Sequence, residues 1–258
     1  MIPFILFAFI VLASIYFFVR RKKIKANVFT IDKSFLNREV LFYKNLNEKQ
    51  KAQFIRDITD FLNGIKITGI NTTLSNQDLL LVASGAVIPV FNFPAWKYRN
   101  LKEVLLYADT FNRDFESEGN TDRNILGMVG TGYLEGKMLL SQRALHDSFL
   151  NQTDKHNTVI HEFVHLIDKA DGDTDGVPAV LLQQQYIIPW LEMIHTEMEK
   201  IKAGQSDIDP YAYTNKTEFF AVVAEYFFER PDLLKVQHPQ LFNMLQQMFG
   251  TIPKKTGN

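Results

Sequence analysis

Thr158-Val159-Ile160-His161-Glu162-Phe163-Val164-His165-Leu166-Ile167-Asp168 is an apolar run that encloses His-Glu-x-x-His. Read as a helix, it sets His161 and His165 one turn apart on the same face. Two imidazoles at that spacing can hold one zinc ion, and Glu162 beside the first of them can reach a water on the metal. Zinc lowers the pKa of such a water towards ~7, and a neighbouring carboxylate takes its proton as the water attacks a carbonyl. The plainer alternative is a buried helix whose two histidines only satisfy local hydrogen bonds. The motif needs a helical context, and this apolar run supplies one.

A catalytic zinc on two histidines wants one further protein ligand and an open position. A helix expected over residues 216–229 offers Glu218, Glu225 and Glu229. Asn215-x-x-Glu218 also fits a capping box, which would account for Glu218 without any metal. Glu225 lies seven residues further on and shares its face, so spacing leaves the two tied. Tyr211 and Tyr213 precede this helix, and either phenol can donate to the oxyanion that forms when water attacks a peptide carbonyl. Packing in a loop is the ordinary role for both.

The chain has no cysteine, which excludes disulfides, thiolate metal sites and cysteine nucleophiles. Its 258 residues are 46% hydrophobic and 22% charged, the balance of a globular protein with a substantial core. Ile2 to Val19 carries no formal charge and is followed by Arg20-Arg21-Lys22-Lys23-Ile24-Lys25. As a helix it would be roughly 27 Å long, close to the thickness of a bilayer core. Basic residues after the run, and bulky Tyr16, Phe17, Phe18 and Val19 at its end, favour an uncleaved anchor over a signal peptide. The same basic flank predicts a single-pass inner (cytoplasmic) membrane protein with its catalytic domain in the cytoplasm. Of 28 basic and 29 acidic residues, five basic and no acidic ones fall in residues 1–25. The remaining 23 basic against 29 acidic leave a mildly acidic domain with no electrostatic footprint for nucleic acid.

Residues 26–44 read as a connector with apolar anchors, and residues 45–258 as one α+β domain with a small sheet. Asn47-x-x-Gln50 opens a helix that ends near Gly64, and residues 76–86 form a second helix, apolar on all sides and so buried. Glu103 to Tyr107 is a strand, and Met128-Val129-Gly130 with Lys137 to Ser141 flank a glycine-rich turn as a hairpin. The first strand of that hairpin is either plain structure or an edge on which an extended peptide can pair. Asp171-Gly172-Asp173-Thr174-Asp175-Gly176 looks superficially like a calcium loop, but Leu182 stands where a bidentate Glu is required, so it reads as a turn. A further helix spans residues 183–201.

These residues resemble the Mlc titration factor A (MtfA-like) zinc peptidases, whose catalytic core is similar to that of anthrax lethal factor. The resemblance rests on His161 to His165 with Asp168, Asp175-Gly176-Val177-Pro178, Asp209-Pro210-Tyr211-Ala212-Tyr213-Thr214, Thr217-Glu218-Phe219-Phe220-Ala221-Val222 and Glu225-Tyr226-Phe227-Phe228. It covers roughly residues 45–250 and is most specific in the carboxyl-terminal half. It implies a zincin-like fold with one Zn²⁺ on His161, His165 and Glu218, Glu162 as general base, and Tyr211 as the oxyanion donor. Glu225 becomes an outer residue and Asp168 an orienter of a ligand histidine. A peptide or protein is the implied substrate, and the family name implies a transcriptional repressor as a partner. Family members are soluble, and the apolar run at residues 2–19 sets this chain apart from them. A binding protein that sequesters a regulator, with weak or incidental peptidase activity, is the rival reading, and hydrolysis of a non-peptide amide is a third.

Overall fold

The computed structural model describes residues 28–109, 126–130, 132–151 and 154–253. The expected anchor, residues 1–25, lies outside them. Among the described residues no helix is long and apolar enough to cross a membrane.

The segment read as a connector carries α1 (Lys33–Glu39) and α2 (Leu41–Lys44), and Phe35, Leu36, Val40 and Tyr43 are buried in the core. Asp32 caps α1 by accepting from Phe35 N. The α3 helix (Glu48–Gly64) begins at a reciprocal capping box in which Asn47 and Gln50 each accept the other's backbone N–H at 3.0 Å. Its apolar face buries Phe54, Ile58, Phe61 and Leu62. After β1 (Lys66–Ile70), Ser75 and Asp78 form a second capping box at the start of α4 (Asn76–Val87), which is buried from Asp78 onward. A helix apolar on all sides has to be enclosed, as this one is.

The sheet is completed by β2 (Glu103–Tyr107), β3 (Gly127–Val129) and β4 (Lys137–Ser141), in the order β1-β2-β4-β3. The first three neighbours in that order run parallel, and β3 is an antiparallel edge on β4, with Met128 opposite Leu139. Alternation along the strands sends Ile67, Val104, Leu106, Met138 and Leu140 into the main core. Tyr107 and Leu139 face the other way, in a small cluster with Leu134.

Six further α-helices follow among the described residues: α5 (Gln142–Leu150), α6 (Thr158–Asp168), α7 (Ile187–Lys202), α8 (Lys216–Glu229), α9 (Pro231–Gln237) and α10 (Pro239–Phe249). The expected helix over 183–201 starts with a 3₁₀ turn at Gln184–Tyr186 and becomes α-helical only at Ile187. Every residue of α8 from Phe219 to Phe227 is buried, and Phe220 stacks on Phe249 of α10 at 5.8 Å. Each such aromatic ring contributes about 1.5–3 kcal/mol on burial, so α8 is anchored firmly. The α6 helix is held between α8, α4 and the edge strand β3.

The acidic stretch after α6 is an exposed turn whose carboxylates bond to its own backbone N–H groups. Asp171 accepts from Ala179 N at 2.9 Å, and Asp175 accepts from Val177 N at 3.0 Å. Gly176 has φ of +78°, and a Cβ there would stand 2.3 Å from Lys216 O. Its carbonyl accepts the indole N–H of Trp190 at 2.7 Å, which ties this turn to α7 and to the start of α8.

Candidate metal centre

Asn157 starts α6: its side-chain oxygen accepts from Ile160 N at 3.0 Å. His161 and His165 follow on one face, their rings 4.6 Å apart and nearly perpendicular. Glu218 comes from the first turn of α8, where Asn215 caps the helix by accepting the backbone N–H of Glu218 at 2.9 Å. The cap therefore exists, and it uses the backbone of Glu218 while leaving its carboxylate free. That carboxylate lies 3.0 Å from His161 Nε2 and 3.5 Å from His165 Nε2.

Glu225, two turns along α8, takes a different place. Its Oε1 is 2.6 Å from His161 Nδ1, and its Oε2 accepts the backbone N–H of Asn157 at 2.5 Å. It fixes the far side of the ring and leaves Nε2 facing Glu218. Burial alone would lower the pKa of His161, but hydrogen bonds to Glu218 and Glu225 outweigh it and push the ring up to about 10. Glu218 moves the opposite way: burial would raise it, and the two imidazoles hold it far below the ordinary carboxylate range.

One metal ion fits this donor set. The candidate atoms of His161, His165 and Glu218 all lie within 4.8 Å of one another. Ligands at about 2.0–2.1 Å from a tetrahedral zinc stand about 3.3–3.4 Å apart, and the two observed N···O separations bracket that spacing. Glu162, Glu218 and Glu225 also concentrate negative charge here, which a divalent cation offsets.

Glu162 does not join the three. It is buried, its Oε2 has no partner among the described residues, and burial raises its pKa above the ordinary value. The edge strand explains its confinement: a Cβ on Gly127 would stand 2.6 Å from Glu162 Cγ and 2.8 Å from its Oε1. A glycine inside a strand often marks a close approach of this kind, so the sequence did carry that signal.

The two phenols separate. The Tyr211 ring lies 6.1 Å from that of His161, and its pKa is raised by burial and by the charges of Glu218 and Glu162. Tyr213 instead lies under Lys202, whose Nζ is 5.6 Å from the ring centre. Tyr211 is still half exposed at the rim of the site.

Asp168, expected to orient a ligand histidine, makes no hydrogen bond to one here, and its buried Oδ1 has no partner among the described residues. Its Oδ2 accepts from Gly176 N at 2.9 Å, which orders the turn after α6, and Nδ1 of His165 has no partner among the described residues. The reason is local: the α6 end turns into the Gly176 loop, whose backbone N–H needs an acceptor in the interior. Asn157 belongs to the hydrogen-bond network behind His161, a place that sequence reading passed over. Beyond capping α6, its side-chain amide donates to Glu229 at 2.9 Å and to Ser148 O at 3.1 Å.

The fold and this cluster define a metallopeptidase-like α+β domain. The chain belongs to the family described as glucose-regulated metallo-peptidase M90, whose model matches residues 16–250. It is similar to Mlc titration factor A of Cronobacter sakazakii, 28% identical over 220 residues that cover 81% of this chain and 82% of that protein. Mlc titration factor A of Escherichia fergusonii is 33% identical over 162 residues, 58% of this chain and 60% of that one. An uncharacterized protein of Synechocystis sp. is 28% identical over 222 residues, 82% of this chain and 80% of its own length. The family implies a metal ion, and the resemblance to the MtfA-like proteins holds.

Proposed function

We propose that the protein is a zinc-dependent peptidase, tethered to the membrane by residues 1–25 with its catalytic domain in the cytoplasm. The observation that carries the enzymatic reading is the convergence of His161, His165 and Glu218 beside the unpartnered oxygen of Glu162. His161, His165 and Glu218 would hold the ion, and Glu225 keeps His161 in the tautomer that presents Nε2. Zinc, when bound there, supplies a Lewis acid that brings water's pKa towards ~7.

Glu162 accepts the water's proton at its free Oε2 and returns it to the leaving amine, and its raised pKa suits both transfers. Tyr211 donates its hydroxyl to the developing oxyanion. The β3 edge, one residue of which lies against Glu162, offers backbone groups on which an extended peptide pairs beside the site.

The name of the relatives, Mlc titration factor A, favours a second reading, in which the protein binds and sequesters a regulator. Cleavage of a peptide library by the full-length chain, with and without a chelator, separates the two. Chelator-sensitive cleavage is expected, and binding of peptides without cleavage in the metal-loaded protein would favour sequestration. For the tether, the protein should stay in the membrane fraction through a carbonate wash. Release of the full-length chain by that wash would remove the anchor from the proposal.

A further inference from the structure

Two consecutive residues ahead of α6 reach the segment that carries Tyr211. Lys155 Nζ donates to Asp207 O at 2.8 Å and to Asp207 Oδ2 at 2.7 Å, and His156 Nε2 stands 3.6 Å from Asp209 Oδ2. Asp209 opens the 3₁₀ turn Pro210–Tyr213, its Oδ1 accepting from Tyr211 N at 2.7 Å. Lys155 has φ of +76°, a region that side chains other than glycine rarely adopt. Its contacts with Asp207 and with the Tyr226 ring, 4.6 Å from Nζ, hold that strained stretch in place.

Asp207, at the surface end of this network, is tied from the other side as well. His238, buried between α9 and α10, sets Nε2 2.8 Å from Asp207 Oδ1 and Nδ1 3.0 Å from Glu197 Oε2 on α7. Carboxylates only accept, so both ring nitrogens have to donate, and the imidazolium is the form that carries both protons. The other charged or titratable groups here are Lys155, Lys200 and Tyr226. Lys200 donates to Glu197 Oε1 at 2.7 Å, and the Tyr226 hydroxyl donates to Asp207 Oδ2 at 2.6 Å. Burial would lower the pKa of His238, but its bonds to Glu197 and Asp207 outweigh it and hold the ring above its ordinary 6.5. Burial would raise Asp207, and the bonds from Lys155, Tyr226 and His238 keep it at about 2.

We propose that His238 is a positioning residue: protonated, it clasps Glu197 and Asp207 and holds the Tyr211 turn beside α6, and deprotonated it lets that turn shift. A neutral imidazole has one N–H, so one nitrogen then points a lone pair at a carboxylate. Glu197 belongs to the hydrogen-bonded α7, whereas Asp207 lies between elements, so Asp207 is the side that yields. It pivots about its bonds to Lys155 and Tyr226 and takes the Tyr211 turn with it. The part Tyr211 plays in catalysis rests on the peptidase reading, whereas the clasp does not.

Nuclear magnetic resonance can follow the turn and the His238 proton separately. Full-length protein in excess zinc, with trifluoromethylphenylalanine in place of Tyr211, gives a fluorine signal from a side chain that does not ionise. The chain has six histidines, and the ring signal missing from His238→Gln is that of His238. As the pH rises, the fluorine signal should move with the midpoint of the His238 ring, above 6.5, and His238→Gln should lack that transition. Glu197→Gln keeps an acceptor and removes one charge, so both midpoints should fall together by about one pH unit or more. Titration of His238 without movement of the fluorine, the same transition persisting in His238→Gln, or a His238 midpoint unmoved by Glu197→Gln would overturn the proposal. Neither signal requires cleavage, so a chain that cleaves nothing counts against the peptidase reading and not against the clasp.

Discussion

Glu225 Oε1 stands 2.6 Å from Nδ1 of His161, while Glu218 Oε2 stands 3.0 Å from Nε2 of the same ring. One imidazole is thus gripped from both sides by two carboxylates of a single helix. The two have different work: Glu218 also approaches His165 at 3.5 Å, and Glu225 also holds the backbone of Asn157.

This division predicts a ranking. Glu218→Gln should weaken metal binding by well over the 10–100-fold loss typical of an outer partner, and Glu225→Gln should fall within that range. Competitive chelation measures both. The reverse order would move the ligand role to Glu225.

Metal binding and chemistry should also come apart. His161→Ala and His165→Ala each remove one of three donors, and metal content measured on purified protein should drop from about one per chain towards none. Glu162→Gln should keep its metal and lose peptidase activity by about 10²-fold or more. Wild-type turnover in that variant would assign water activation to another group.

Gly127 provides a test that involves no ionisable residue. A methyl group there would stand 2.8 Å from Glu162 Oε1, so Gly127→Ala must displace that carboxylate or the strand. Activity should fall by about 10²-fold, the scale of a displacement of about 1 Å, with metal content unchanged. Full activity in Gly127→Ala would mean that the position of Glu162 does not limit the reaction.

Glu229 predicts a pH effect on stability. Burial pushes its carboxyl from the ordinary value of 4.5 up to about 8, against the opposing hydrogen bond from Asn157. The folded protein therefore holds this proton where the unfolded chain has lost it. Its contribution is complete below pH 4.5 and declines as the pH rises towards 8. Glu229→Gln keeps an acceptor for Asn157 without that titration, so its stability should fall less over this window. At pH 8 the variant should be more stable than the wild type by about 1–3 kcal/mol, read from denaturant unfolding at both ends of the range. Parallel pH profiles for the two proteins would show that Glu229 ionises normally.

The sequence by itself determined whatever depends on near neighbours along the chain. His161 and His165 share a face because one helical turn sets them there, and the apolar residues around them specify that helix. The caps at Asn47 and Asn215 are likewise local, each formed by a side chain and a backbone N–H three residues on. Alternation and glycine placement located β2 and the β3–β4 hairpin for the same reason.

Only the tertiary structure set Glu218 beside both imidazoles and Glu225 behind one of them, although the two share a face of α8 about 10 Å apart along its axis. Their positions follow from where α6 packs on α8, whose Phe219, Phe220 and Phe227 lie in the core. The same packing turned Tyr211 towards His161 and Tyr213 towards Lys202, although the two are only two residues apart. It also gave Asp168 to the Gly176 turn and brought Gly127 against Glu162 across 35 residues of chain. Contacts between distant segments depend on how whole elements pack, and no periodicity in either segment encodes them.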